Sequence, residues 1–485
     1  MLFQQVIRVS GDTATDAIKL TQQKKYSGTD INNVEKYKLK QRYAYFKKFY
    51  NIFHDNPSQN QIDEGILLYF KAPHSFTGED MLEFQVHGGN AVKQQMLMAL
   101  SRFPTFRQAE PGEFTKRAYF NGKLDLVKAE GINDLINAES EQQLKLSMQQ
   151  LQGRHSKLYN DLRTRLMRML AHAEAYIDFE ADETNDLKPE VFVELGKETE
   201  ILSNQIKGYI KDSEIGEVIR EGFKISIIGP PNAGKSTLMN LLAKRRVSIV
   251  SEIAGTTRDL ISTNINLFGY NVILVDTAGL REQTRDNIEQ QGIQLAQKEA
   301  KSSHGVLIVL DIQDLEKVDD GSYIMKEDQQ LIVNEITQSQ DPIIVINKID
   351  LYSDSNCQPS NTQDYCKLVL KNGLSYKALN VSFKDQLNLE KLYEKLEQFV
   401  KNKISTSQFD INNLNADDFL ISRQRHRELL EQTLQHLENF RRDDLFPDML
   451  VEELRAAVIC IGRITGHIDV EDILDILFKE FCIGK

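Results

Sequence analysis

Residues 229–238 read GPPNAGKSTL and satisfy G-x-x-x-x-G-K-[ST]. No other stretch limits the fold as strongly. The pattern works only as a turn between a β-strand and a helix, where backbone N–H groups close around phosphate oxygens and the helix N-terminus adds partial positive charge. The flanks supply both elements: FKISII (223–228) reads as a buried strand and the residues after Gly234 as a helix. Lys235 is placed to reach the β- and γ-phosphates, and Ser236 to ligate Mg²⁺. Further apolar strands, NVILVD, HGVLIVLD, DPIIVIN and ALNVSF, alternate with helical stretches across residues 222–400. That alternation predicts a doubly wound α/β domain with a parallel sheet.

Three more motifs define the nucleotide. DTAG (276–279) closes a strand in the form D-x-x-G, so Asp276 can hold the Mg²⁺ shell and the Gly279 N–H can meet the γ-phosphate. NKID (347–350) closes a later strand. Asp350 can accept from the guanine N1–H and exocyclic amine, which adenine does not offer, so the ligand is GTP. GTTRD (255–259) offers Thr257 as a second hydroxyl for Mg²⁺. The nucleotide-binding residues are therefore Asn232, Ala233, Gly234, Lys235, Ser236 and Thr237, with Gly255, Thr256 and Thr257, then Asp276, Thr277, Ala278 and Gly279, and finally Asn347, Lys348 and Asp350. The loop after the last strand, usually Ser-Ala, is Ser382-Phe383 here. Leu280 occupies the place where Ras-like enzymes carry a water-orienting Gln. A water-orienting group and extra positive charge must therefore come from elsewhere, with Arg258 and Arg281 as candidates.

The remainder of the chain falls into two textures. Residues 1–118 mix short apolar runs with turn signals and predict an α+β domain. From Leu124 to Phe179 there is no proline, and Leu144, Met148, Leu151, Leu158, Leu162, Leu166 and Leu170 recur at helical spacing. Helical texture continues over about 190–221 and returns after about 417. Helices on both sides of a different domain predict one discontinuous helical domain (119–221 and 401–485) with the α/β domain (222–400) inserted, since insertion is tolerated where chain ends lie close together. A length of 485 residues suits roughly three domains. There is no apolar run of 18 residues, so no membrane span is expected. A net charge of −12 argues against a surface coated for nucleic acid, although a local basic patch acts within a Debye length of about 10 Å. Cys357, Cys366, Cys460 and Cys482 show no zinc or disulfide-framework spacing, which suits a reducing compartment.

FTGEDMLEFQVHGG (76–89), PGEFTKRAYFNGKLDLVKAEGINDLI (111–136), the phosphate loop, AGTTRD, DTAGLR and the terminal FCIGK carry a resemblance over nearly the whole chain. The chain resembles the MnmE (TrmE) family of tRNA-modifying GTPases, and FCIGK fits that family's C-x-G-K ending. VHGG, AHAEAYIDFE and DILDILFKEFCIGK look closest to the mitochondrial branch; a bacterial chain would instead be cytoplasmic. The resemblance implies GTP hydrolysis by a homodimer that works with an MnmG/GidA-like flavoprotein. Together they modify C5 of the wobble uridine, U34, of certain tRNAs, with a carboxymethylaminomethyl group in bacteria or a taurinomethyl group in mitochondria. A folate such as 5-formyl-tetrahydrofolate supplies the one-carbon unit. The positions matching folate contacts are Arg8, Glu83, Lys123 and Lys485, and Cys482 matches the motif's cysteine, with either a reactive or a folding role. A carboxylate can grip a pterin by paired N–H bonds, and Arg and Lys can pair the glutamate tail.

The resemblance also implies what replaces the missing Gln. The family uses K⁺ as extra positive charge and pairs its GTP domains to complete the site. Asn232 matches the K⁺-ligating residue, and Ser251, Glu252, Ile253, Ala254, Gly255 and Thr256 match the segment that wraps the ion, with Ser251, Ile253 and Thr256 as ligands. Glu289 matches the water-positioning glutamate; the spacing from DTAG carries one extra residue, which leaves Asp286 and Glu282 as rivals. The catalytic set is thus Glu289, Asn232 and Lys235. Family members usually begin with a glycine-rich segment before I-x-R-x-S-G, whereas this chain starts at about VIRVSG, as expected of a truncated start or an abbreviated N-terminal domain. Two rival readings share the phosphate loop: an Era-like ribosome-assembly or RNA-binding GTPase, and a folate-binding protein with a regulatory switch. The ending in FCIGK, without a basic RNA-binding domain, disfavours the first.

Overall fold

The computed structural model describes residues 4–26, 39–56, 59–180, 190–211, 213–245, 261–276, 298–318, 322–325, 330, 333, 336–337, 341–351, 364–370, 374–404 and 421–468. The chain divides into two compact units. One comprises Met1–Ile136, Gln149–Leu202 and Gln432–Lys485; the other comprises Asn137–Met148 and Ser203–Glu431.

The first unit opens with an antiparallel sheet of β1 (Gln4–Ser10), β2 (Tyr45–Tyr50), β3 (Gln61–Phe70) and β4 (Met81–His87) in the order β1-β4-β3-β2. In β4, Leu82, Phe84 and Val86 alternate onto the face covered by a 3₁₀ helix (Ala14–Thr21) and α1 (Asn90–Leu100). Burial of Phe49, Leu67, Met96 and these strand residues holds the layers together, each large apolar side chain contributing about 1.5–3 kcal/mol. Short helices α2 (Glu113–Phe120) and α3 (Leu126–Ile136) follow. The helices α4 (Glu141–Leu151), α5 (Arg154–Glu180) and α6 (Glu190–Lys211) come next, and α5 lies wholly in the first unit.

The α4 segment is helical as its spacing predicts, but it buries a different face. Leu144 and Met148 are exposed, while Gln143, Ser147 and Gln150 are buried. Hydrogen bonds satisfy the buried polar side: Gln143 Nε2 donates to the Arg220 carbonyl at 2.9 Å, and Gln150 Nε2 to the Val127 carbonyl at 2.9 Å. Polar groups can be buried when paired in this way, and period alone does not reveal it. In α5, Leu162 and Leu166 do face the core.

The second unit carries α7 (Ser213–Glu221) and a nine-stranded sheet. Its strands are β5 (Phe223–Ile228), β6 (Ile261–Leu267), β7 (Tyr270–Asp276), β8 (Gly305–Asp311), β9 (Leu315–Lys317), β10 (Tyr323–Met325), β11 (Ile343–Asn347), β12 (Tyr365–Val369) and β13 (Ser375–Asn380). Their order is β6-β7-β5-β8-β11-β13-β12-β10-β9, with β7, β5, β8, β11 and β13 parallel. Both faces of β8 are buried, as in a sheet covered on two sides. Helices α8 (Lys235–Arg245) and α9 (Leu389–Ile404) flank it. The extension β12-β10-β9 was not expected from sequence. Its strands are short and interrupted by polar residues, and they close over Leu315, Tyr323, Met325 and Leu368.

After the α/β region come α10 (Gln424–Phe440) and α11 (Pro447–Thr465). Within the first unit α11 packs along α5, with an Arg455–Glu174 ion pair at 2.6 Å between residues 281 apart in sequence. Helical segments before and after the α/β region thus share one packing surface.

Candidate nucleotide site

The phosphate loop follows β5 directly and turns into α8 at Lys235. Two glycines are required by space. A Cβ at Gly229 would collide with the Val309 carbonyl oxygen on the neighbouring strand, and one at Gly234 with Asn347 Nδ2. Gly234 also has φ +104°, a backbone region that side chains disfavour. Asn232 takes φ +61° at the exposed crest of the loop, a conformation Asn tolerates better than most residues. The Lys235 ammonium lies inside the loop, donating to the carbonyls of Gly229 (2.9 Å) and Pro230 (2.7 Å), and the residue is buried. A held cation within a ring of backbone fits a polyphosphate.

Beside the loop, parallel register sets Asp276 at the end of β7 opposite Ile227. Ser236 Oγ donates to Asp276 Oδ2 at 3.0 Å. A hydroxyl and a carboxylate held this close are a hard oxygen donor set, which fits Mg²⁺.

The opposite end is built from β11 and the loop after β13. Asn347 Nδ2 donates to the Ala233 carbonyl at 2.8 Å, and its Oδ1 accepts from the Phe383 N–H at 3.1 Å. Ser382 Oγ donates to Asp350 Oδ1 at 2.7 Å and accepts from the Asp385 N–H at 3.1 Å. Ser382 therefore does what the usual Ser-Ala loop requires. Phe383 keeps the backbone donor and places its ring against Gly234. Lys348, at φ +64°, pairs with Asp311 at 2.6 Å.

The structure thus brings together Asn232, Ala233, Gly234, Lys235, Ser236, Asp276, Asn347, Lys348 and Asp350 around one end of the sheet, with Thr237 in the first turn of α8. Asp311 was missed by sequence reasoning; its signal was only a polar residue closing an apolar strand. Ser251 to Thr257, Thr277 to Gly279, Arg258, Arg281, Glu282, Asp286, Glu289, Cys357, Cys482 and Lys485 lie outside the described residues. Of the remaining cysteines, burial pushes the Cys366 thiol up to about 11 and raises that of Cys460, so neither is a ready thiolate.

In the N-terminal sheet, register sets Arg8 opposite Glu83, and Arg8 Nε donates to Glu83 Oε1 at 2.7 Å. Lys123 is exposed, its stem beside Gly78. Nearby, burial alone would raise the Glu113 carboxyl, but Arg107, the Glu110 N–H and Arg117 outweigh it and hold the group at about 2.

A phosphate-loop turn tied by one asparagine to the N-K-x-D turn, on a sheet whose central strands are parallel in this order, is the arrangement of the P-loop GTPases, the class of GTP hydrolases to which this chain belongs. Residues 126–482 match the model of the MnmE helical domain, and residues 4–123 match that of the GTP-binding protein TrmE N-terminus. The chain belongs to the MnmE/TrmE family. It is 39% identical over 482 residues to the tRNA modification GTPase MnmE of Rickettsia bellii, covering 99% of this chain and 96% of that relative. It is 42% identical over 425 residues to the protein of the same name from Rickettsia rickettsii, covering 87% of each. Among solved structures, a variant of Aquifex aeolicus Era bound to GDP and AlF4⁻ is 23% identical, covering 44% of this chain and 66% of that one, with a TM-score of 0.24. That likeness is too loose to bear on function.

Proposed function

We propose that this GTPase acts in tRNA modification, installing a group on C5 of the wobble uridine together with an MnmG-like flavoprotein. The observation that carries the reading is the two-ended nucleotide site, in which Asn347 joins the guanine clamp to the phosphate loop, within a chain that matches tRNA modification GTPases over nearly its whole length. Lys235 is held to counter phosphate charge, and Asp350 to select guanine. Ser236 and Asp276, with Thr257, would hold Mg²⁺, which when bound neutralises charge on the β- and γ-phosphates. Asn232, exposed on the loop crest, is suited to meet a K⁺ ion held also by Ser251, Ile253 and Thr256. We assign Glu289 to orienting the water and a second copy of the chain to completing the site.

The N-terminal domain (1–118) is proposed to bind a folate and to dimerise. The Arg8–Glu83 pair supports this, since it sets opposite charges side by side on β1 and β4, at one edge of the sheet. The helical domain (119–221 and 401–485) would answer the GTP cycle of the inserted domain (222–400). The sequence likeness to the mitochondrial branch favours action in mitochondria. The test is mass analysis of tRNA nucleosides from cells lacking the protein. Hypomodified U34 is expected, whereas normal U34 with defective ribosomal subunits would point to the Era-like reading. Hydrolysis measured in K⁺ against Na⁺ tests the ion, and equal rates would remove it.

A further inference from the structure

Lys348 and Asp350 stand two residues apart on the loop that grips the base. An ammonium that close could fold onto the Asp350 carboxylate and quench the charge that reads guanine. The structure shows the ammonium drawn elsewhere. Lys348 Nζ lies 2.6 Å from Oδ2 of Asp311, at the end of the neighbouring strand β8. Asp311 is itself fixed: the residue is buried, it pairs in register with Asn347, and its Oδ1 caps the next turn by accepting from the Gln313 N–H at 3.0 Å. Asp350 is meanwhile held through Oδ1 by Ser382, and its Oδ2 has no protein partner among the described residues.

We propose that Asp311 is a positioning residue for guanine selection: it holds the Lys348 ammonium away from Asp350 and leaves the second oxygen of that carboxylate open to the base. The proposal rests on the GTP-binding reading of the site. Asp311→Asn tests it. Asn keeps an Oδ1 acceptor for the Gln313 N–H, so the cap is retained, but it has no charge to hold Lys348. Release of a fluorescent GDP should quicken about tenfold, the scale of one charged hydrogen bond. Competition assays should show the preference for GTP over ITP, which lacks the 2-amino group, shrinking in the same variant. Adding Lys348→Met keeps the apolar stem and removes the competing ammonium, so the double variant should regain much of the lost preference. Lys348→Met alone is the reference for that double variant: adding Asp311→Asn to it should cost no further preference. Asp311→Glu, which keeps the charge, should weaken the preference less than Asp311→Asn does, a measurement that stands if Asp311→Asn folds poorly. An unchanged GDP off-rate in folded Asp311→Asn overturns the proposal. So does equal weakening toward GTP and ITP with no recovery in the double variant, or a further loss of preference when Asp311→Asn is added to Lys348→Met. Failure of the unmodified protein to bind GDP would instead overturn the GTP-binding reading.

Discussion

Asn347 reaches across 114 residues of sequence to donate its side-chain amide to the Ala233 carbonyl at 2.8 Å, while its carbonyl oxygen takes the Phe383 N–H. One buried side chain thereby fixes the spacing between the two ends of the nucleotide site. Asn347→Ala removes both bonds and leaves a buried N–H and C=O to find other partners. The expected cost is about 1–3 kcal/mol, or roughly ten- to a hundredfold in nucleotide affinity. Stopped-flow release of fluorescent GDP should show this as a faster off-rate, and an off-rate within twofold of the unmodified protein would contradict the linkage.

Ser236 and Asp276 meet at 3.0 Å before any ion is considered. Ser236→Ala deletes the hydroxyl and leaves the carboxylate. Chelation by EDTA should speed nucleotide release from the unmodified protein but change it little in the variant. An equal response to EDTA in both would place the ion elsewhere.

How far the sequence foretold this site depends on how local each signal was. The phosphate loop and N-K-x-D were plain because each is a turn whose residue types are dictated by one ligand. The parallel order of the sheet followed from runs such as IIVIN, apolar on both faces. Lys348 looked like part of a motif, yet its partner Asp311 is a strand away and no spacing rule joins them. Arg8 and Glu83 became a pair only through antiparallel register. The buried glutamines of α4 were unreadable for a related reason: Gln143 is satisfied by a carbonyl 77 residues downstream.

The Arg8–Glu83 pair predicts a stability effect separable from any ligand. Glu83 is nearly buried, so Arg8→Ala leaves a carboxylate without its countercharge. A loss of about 1–3 kcal/mol is expected in urea unfolding. Changing Glu83→Gln as well should return part of it, because the stranded charge is gone. Additive losses in that double-mutant cycle would mean the two side chains do not act together.

Acidity offers the last test, through two groups that titrate in different windows. Burial lowers the His304 pKa from its ordinary 6.5, and its Nδ1 accepts from the Lys224 N–H at 2.9 Å, which requires the neutral ring. The unfolded chain therefore binds the proton more readily, and stability falls as pH drops below about 6.5. Glu113 behaves in the opposite chemical sense but with the same outcome further down. Its folded pKa of about 2 lies below the ordinary 4.5, so its contribution is complete above 4.5 and is lost as pH falls toward 2. Urea unfolding across pH should therefore show two descending steps. His304→Gln should flatten only the step below pH 6.5, and Glu113→Gln only the step below 4.5. A step that survives its own substitution would assign the proton to another group.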